Sequence, residues 1–400
     1  MPYQITPADR TSFQRCRRQW DFGARARRNL EPLEQPAPPD LDLAIREALD
    51  IYYFPGMWDW QRHITLPLVL QAFQRAVTRQ RERCGDEPDD EIWQQLLAAG
   101  NGLLGRYFAW APTVDRFSPV LVEGEYDVTI LDPARPTLGL VTAGGEPIRF
   151  RGRIDLLAVD SNDAYWIVRH RLVEGDWPAT QTLIDDEATV AACWAWEQFY
   201  LGMAIAGTIY NEVRTDLSTE VPASIPAQSH PGPRPGSERR GPALRRWLPK
   251  SRHDHPQPVV RQHEPSGGGR SIPQHRRMYA VAREPNRFER IEQHVEQEFR
   301  RTWVRRSPAE VTEAGGRLAA EAAEMAGPGV STDPSPSPAI CPACAYLAPC
   351  QAMSAGRSEE PLLRSGYRER PEEKLVEGRL GGGAWSTGRG AAPPKFRDGP

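Results

Sequence analysis

Between residues 41 and 215 the apolar side chains change spacing twice, and only a fold that layers helices on a sheet can bury faces of both kinds. The runs LDLAIREALDIYY at 41–53, LPLVLQAFQRAVTRQRER at 66–83 and DEIWQQLLAAGNGLLGRYFAWA at 90–111 place apolar residues three and four apart, which predicts three amphipathic helices. VLVEGEYDVTI at 120–130, PIRFRGRIDLLAVD at 147–160 and AYWIVRHRL at 164–172 are β-branched and aromatic runs parted by turn residues, and they are read as three consecutive strands. A helical pattern returns over 185–206, and a strand is expected at 207–215. Further on, the sequence predicts a helix around 287–298, a strand at 299–307 and a helix from Pro308 to Met325. Together these elements make an α/β fold interrupted once.

The interruption is a matter of composition. The chain has 39 Pro and 33 Gly in 400 residues, and the segment 218–277 holds 11 of those Pro together with five of the eight His. The same segment carries ten Arg and one Lys against four acids, so a net charge of −3 divides into a basic stretch and an acidic body. Almost no aliphatic period runs through it. Such a segment cannot bury enough apolar surface to offset its ordering entropy, and it is expected to be a disordered insertion: a solvated linker, or a polyelectrolyte arm for nucleic-acid phosphates. The expected organisation is one split domain over 1–217 and 278–353, the insertion 218–277, and a flexible tail 354–400. Shorter breaks fall at 31–40 and 327–338. No run reaches the roughly 18 apolar residues of a membrane span, and the N-terminus has no apolar leader core. No membrane association and a cytoplasmic location are therefore expected.

Six Cys are too few for a disulfide scaffold. Three stand in CPACAYLAPC as Cys341, Cys344 and Cys350, spaced C-x2-C-x5-C, and a fourth, Cys16, lies in TSFQRCRRQW near the other end of the chain. Two Cys three apart can aim both sulfurs at one metal. The Pro residues beside Cys341 and Cys350 favour tight turns that leave backbone N–H groups free to face sulfur. Four thiolates suit either a [4Fe–4S] cluster or a tetrahedral zinc ion, and spacing alone does not choose between them. Cys84 and Cys193 fall outside the pattern, Cys193 as a small hydrophobe on an apolar helix face.

Several of these residues carry a family resemblance. Cys16 follows Ser12 and Phe13 and precedes Trp20; a central Gly152-Arg153-Ile154-Asp155 strand is followed by a hairpin strand and a long helix; and the C-x2-C-x5-C group closes the domain. In this order they resemble the RecB-like branch of the PD-(D/E)XK nuclease superfamily, and within it the iron–sulfur members such as the AddB nuclease domain and the CRISPR-associated RecB-type exonucleases. The likeness covers residues 5–217 and 278–353. It implies a restriction-endonuclease-like α/β core with N-terminal helices, and a [4Fe–4S] cluster on Cys16, Cys341, Cys344 and Cys350 that ties the first and last segments together. It also implies DNA as the partner, as single strands or duplex ends.

The chemistry that the resemblance implies uses two acids on the arms of a hairpin. They hold Mg²⁺ or Mn²⁺ through oxygen, the metal activates a water, and a Lys two residues after the second acid polarises that water. Asp155 is placed as the first acid. Where D/E-x-K is required, the next strand reads Arg169-His170-Arg171, with Arg169 in place of the acid and Arg171 in place of the Lys. A guanidinium cannot ligate Mg²⁺ and stays protonated, so Arg171 is a poor substitute in proton transfer. The metal-ligating His of the early helix falls on Arg46, and the Q-x3-Y pair falls on Val190 and Trp194. Glu123 and Glu125 share a strand face by alternation, and Glu125 is the candidate second oxygen ligand beside Asp155.

Arg151 and Arg153 lie two apart on one strand, and Arg169 and Arg171 two apart on the next. If those strands pair, four guanidiniums stand in one cleft as a phosphate-binding surface without a catalyst. The competing expectation is that they are taken up in ion pairs with Glu123, Glu125, Asp155 or the acidic run at 185–187. His170 alternates away and is read as an ordinary strand histidine. The 12 Trp are assigned mainly to packing. Three functions fit these residues: a DNA-binding pseudo-nuclease in repair or processing that works beside a protein partner, an active metal-dependent DNA exonuclease that recruits Glu123, Glu125, Asp185 or Glu187, and a structural or redox-responsive interaction protein.

Overall fold

The computed structural model describes residues 2–33, 39–84, 90–215 and 290–370. The insertion expected at 218–277 and residues 371–400 of the expected tail lie outside the described residues. Strand β1 (Tyr3–Ile5) leads into α1 (Pro7–Arg15) and α2 (Arg17–Gly23). Thr6 caps α1: its hydroxyl accepts the Asp9 N–H while the Asp9 carboxylate accepts the Thr6 N–H, a reciprocal cap that sets the start of the helix. Cys16 ends α1 and opens α2 in an extended conformation, which places it, half-buried, at the joint.

After β2 (Leu30–Pro32) come the three predicted helices, α3 (Leu41–Tyr52), α4 (Arg62–Cys84) and α5 (Asp90–Val114). Then follow β3 (Phe117–Thr129), the small hairpin β4 (Leu131–Asp132) and β5 (Arg135–Gly139), β6 (Ile148–Asp160) and β7 (Tyr165–Val173). The short α6 (Thr180–Ile184) and α7 (Glu187–Phe199) lead to β8 (Ile205–Arg214). The last part comprises β9 (Ile291–Val295), β10 (Phe299–Arg305), α8 (Pro308–Met325), α9 (Leu347–Ser354), α10 (Glu360–Gly366) and β11 (Tyr367–Glu369).

One mixed sheet organises the chain. β3, β6 and β7 form an antiparallel meander, β8 joins β7 in parallel after the α7 crossover, and β10 and β9 extend the sheet antiparallel. β1 pairs in parallel with the first residues of β6. The sheet is covered on both sides. Phe13, Trp20, Phe150, Trp194, Trp196 and Leu318 pack between it and helices α1, α2, α7 and α8, while Leu49, Tyr53, Phe73, Trp93, Leu156 and Val168 pack between it and α3, α4 and α5. Each such side chain contributes about 1.5–3 kcal/mol when fully buried. Gly315 lets α8 close on α7, since a Cβ there would fall 2.2 Å from Trp194 Nε1. No described helix is long and apolar enough to cross a membrane.

Three expectations need correction. Residues 291–295 form a strand where the sequence predicts a helix, because they complete the hydrogen-bond ladder of β10, with Ile291 opposite Val304. Helix α7 stops at Phe199, short of 206, where the chain turns through Gly202 with φ of 92° and enters β8. Residues 354–370 of the expected flexible tail take defined structure: α10 follows α9, and β11 pairs with β2. An aromatic stack holds this return, with Tyr346 stacked between Phe22 at 5.3 Å and Tyr367 at 5.5 Å.

Candidate functional site

Strands β6 and β7 pair only where Leu156–Val159 face Val168–Tyr165; ahead of this stretch β6 swings away, and its first residues pair with β1. Asp155 is the residue at the fork. The divergence deprives β7 of ladder acceptors on that side, and carboxylates replace them. Asp155 Oδ2 accepts the His170 N–H at 2.8 Å, and Asp42 Oδ1 from α3 accepts the Leu172 N–H at 3.2 Å. Arg46, one turn beyond Asp42, reaches both acids: its Nε donates to Asp42 Oδ2 at 2.8 Å, and its Nη1 lies 3.7 Å from Asp155 Oδ1.

The facing of β6 changes at the same place. Phe150 and Ile154 pack on the α7 side, whereas beyond Asp155 it is Leu157 and Val159 that do so, and Leu156 and Ala158 pack on the α3 side. On β3 the change falls at Glu123, a non-glycine residue with φ of 52°. This local kink sends Asp155 and Glu123 toward α3.

The expected four-arginine surface is therefore not assembled. On the outer face of β3 and β6, Arg149 Nε lies 2.7 Å from Asp127 Oδ1, Arg151 Nη2 3.9 Å from Glu125 Oε2, and Arg153 Nη1 2.5 Å from Glu123 Oε2. Directly opposed residues are Asp127 with Arg151 and Glu125 with Arg153, so the three ion pairs run diagonally. Arg169 and Arg171 have the opposite parity to Trp166 and Val168 and face the α7 side. There the Arg171 guanidinium lies 5.9 Å from the Tyr210 ring, and Arg169 stands near enough to Tyr126 to oppose the rise that burial imposes on its hydroxyl. Neither has an ion-pair partner among the described residues. Of the proposed ligand pair of Asp155 and Glu125, Glu125 lies 3.9 Å from Arg151, and it is the charge of Glu123 that acts together with that of Asp155 on Asp50. Val190 and Trp194 are core residues of α7.

His170 is fully buried behind the fork. Arg301 Nη2 donates to Asn211 Oδ1 at 3.0 Å, which turns the Asn211 amide nitrogen to His170 Nδ1 at 2.7 Å. An arginine offers only donors, so His170 Nδ1 must accept and its proton resides on Nε2. Burial, above all, lowers the His170 pKa from 6.5 to about 4 against the opposing pull of Asp155. Arg301 also ion-pairs with Asp115 and donates to the hydroxyls of Tyr53 and Tyr107 at 3.1 Å each, all within the α3-side core.

Asp50, one further turn along α3, sits beside the same fork. Burial first, and then the charges of Glu123 and Asp155, raise its pKa from 3.8 to about 8, despite Arg153. A folded-state pKa above the unfolded value lets the folded chain keep a proton that the unfolded chain has lost, so stability falls as pH rises from about 4 to about 8. His170 acts in the opposite sense between about 4 and 6.5, where the unfolded histidine binds the proton. The two slopes offset each other up to pH about 6.5, and above it Asp50 acts alone at about 1.4 kcal/mol per pH unit. Denaturant titrations are expected to show stability falling by about 2 kcal/mol between pH 6.5 and 8, and Asp50→Asn is expected to flatten that limb. An unchanged slope in the variant would contradict the assignment.

The second site joins the ends of the described chain. Cys16, Cys341, Cys344 and Cys350 line one pocket together with Arg18 and Tyr346. Burial raises the Cys344 thiol pKa, and the charges of the other three cysteines act on it in the same direction. The segment DPSPSP at 333–338 crosses the pocket. Its three prolines have no N–H; of the three amides that remain, Asp333 donates to Ser331 Oγ at 3.2 Å and the other two are spent on sulfur, Ser335 N–H on Cys16 at 3.5 Å and Ser337 N–H on Cys341 at 3.3 Å. Arg18 Nη1 approaches Cys350 Sγ at 4.0 Å and donates to Ser354 Oγ at 3.1 Å. Cys193 is elsewhere, buried 3.8 Å from Thr208 Oγ1, with its thiol pushed up to about 12.

The donor set and the amide donors of the cysteine pocket fit an iron–sulfur cluster or zinc in chemistry. Among the described residues, no group of three or more His, Cys, Asp or Glu stands at the spacing of ligands around one ion. The fork fits Mg²⁺ or Mn²⁺ poorly, because a guanidinium already lies between its carboxylates. Asp42, Asp50, Arg18, Ser335 and Ser337 went unrecognised in the sequence. A signal existed for the first two: Asp42, Arg46 and Asp50 are four apart in succession, which puts them on one helix face.

No family model matches this sequence, and no curated protein matches it. Among solved structures, one described as "Crystal structure of SSO0001" is similar at 13% identity and a TM-score of 0.19, over 42% of this chain. The match spans 62% of that protein's length. A likeness of this depth carries no argument about fold or activity.

Proposed function

We propose that this chain is a RecB-like PD-(D/E)XK protein, stapled by a [4Fe–4S] cluster on Cys16, Cys341, Cys344 and Cys350, that binds DNA in repair or processing without cutting it. The observation that carries the proposal is the fork. Its single retained acid, Asp155, is occupied by the His170 amide and by Arg46, while Arg169 and Arg171, at the D/E-x-K positions, face the other side of the sheet. The order of elements supports the family: the Gly152–Asp155 strand, its hairpin partner β7, helix α7, and a cysteine turn that meets Cys16. When bound, the cluster would supply a cross-link between the first helices and the last. The protein's own part is to present four thiols, donate the Ser335 and Ser337 amides to sulfur, and cover the pocket with Tyr346.

Affinity for DNA in this reading comes from the basic sequence at 218–277 and from Arg169 and Arg171, not from Arg151 and Arg153, which are paired. Retention of labelled single-stranded DNA is expected at low salt and is expected to fall about tenfold or more between 50 and 200 mM salt, as counterion release requires. Absence of retention at low salt would refute DNA binding and favour an interaction protein held together by its cluster. One observation favours a second reading, a metal-dependent nuclease with unusual acids: Asp50 lies close enough to Glu123 and Asp155 to feel both charges. That reading requires Mn²⁺-dependent cleavage that Asp50→Asn abolishes.

A further inference from the structure

We propose that Arg46 is an internal cation that stands where this fork would otherwise need a divalent metal, holding Asp42 and Asp155 in place and excluding the metal. The inference rests on the reading of the fork as a retired nuclease centre. Both acids are used in the same way. Each gives one oxygen to a β7 amide, Asp155 to His170 and Asp42 to Leu172, and each turns the other oxygen to the Arg46 guanidinium. The amides need these acceptors because β6 has left β7 at this point. Two carboxylates drawn to one notch by backbone hydrogen bonds repel each other, and a cation between them is the physical remedy. A divalent ion could do this through oxygen ligation; here a side chain four residues from Asp42 on the same helix does it with a single charge. Arg153 pairs with Glu123 beside them, so less negative charge remains to draw in a metal.

The arrangement gives Arg46 a role that a merely structural residue would lack, namely control of metal uptake. Mn²⁺ binding to the full chain can be followed by the loss of the free-ion electron paramagnetic resonance signal. Wild type is expected to leave Mn²⁺ free at concentrations where Arg46→Ala and the milder Arg46→Gln bind it about tenfold or more tightly than wild type, because a repelling charge a few ångströms away has been removed. Arg46→Lys, which keeps the charge, is expected to behave as wild type. The gain is expected to vanish in Arg46→Gln/Asp155→Asn. Mn²⁺ binding by wild type that Asp155→Asn abolishes would overturn the proposal whatever the variants do, as would folded Arg46→Gln protein that binds no more Mn²⁺ than wild type. Either result leaves the reading as a non-cleaving DNA-binding protein standing, since that is decided by cleavage and retention of DNA.

Discussion

Cys344→Ser is expected to cost the protein its colour and one of the ties that hold its last segment. Anaerobically purified wild type should be brown, with a broad absorption typical of iron bound to sulfur and about four iron atoms per chain. Tying Cys16 to Cys341, Cys344 and Cys350 closes most of the chain into a loop, and a cross-link of that span restrains the unfolded state by about 6 kcal/mol on a chain-entropy basis. For a chain of this size each kcal/mol moves the thermal midpoint by about 2–4 °C, so a fall on the order of 10 °C is expected. The core between the sheet and its helices should persist. The segment 341–370 keeps the Phe22, Tyr346 and Tyr367 stack and the β2 and β11 pairing, so the loss should be read as faster proteolysis near residues 327–338 before global unfolding. Colourless protein with one zinc per chain would replace the cluster with a tetrahedral zinc site.

Breaking the buried pair behind the fork should have an effect of similar size. Arg301 is 0% exposed and Asp115 2%, and together with Tyr53, Tyr107 and Asn211 they tie α3, α5, β8 and β10 into one polar core. Arg301→Met strands the Asp115 carboxylate without its cation, and stability in urea is expected to fall by about 3–5 kcal/mol. Arg301→Met/Asp115→Leu should recover a large part of this loss, because removing both charges also removes the cost of desolvating them. A double variant as unstable as the single one would mean that the hydrogen bonds to the two tyrosines and Asn211, and not the ion pair, hold the network.

Much of the fold is legible in the sequence, because long elements advertise their period. Helices α3, α4, α5 and α8 and strands β3, β6, β7, β8 and β10 fall within a few residues of where their apolar spacing puts them. Strand β9 is hidden because its five residues owe their conformation to the free edge of β10 and not to their own pattern. The return of α10 and β11 is hidden because three aromatics far apart in sequence, Phe22, Tyr346 and Tyr367, make it. At the site, Cys341, Cys344 and Cys350 are readable from their spacing, and Asp155 and the link to Cys16 from the family resemblance. Their surroundings are not. Period-two alternation assigns Arg151, Arg153, Arg169 and Arg171 to one surface only if adjacent strands stay paired and keep their facing, and here β6 both departs from β7 and reverses its facing beside Glu123. Arg46 and one of the two acids it meets, Asp42, come from α3, whose i, i+4, i+8 charges could have been read as one polar stripe but not placed against Asp155 and β7 without the tertiary fold.

A proposed nuclease centre kept as architecture and lost as catalyst is put to the test by incubating the full-length, anaerobically purified protein with end-labelled single-stranded and duplex DNA in Mg²⁺ or Mn²⁺. The DNA is expected to be retained at low salt and recovered intact, with no shortening over a time course on which Asp155→Asn and wild type behave alike. Metal-dependent shortening that Asp155→Asn abolishes would contradict it.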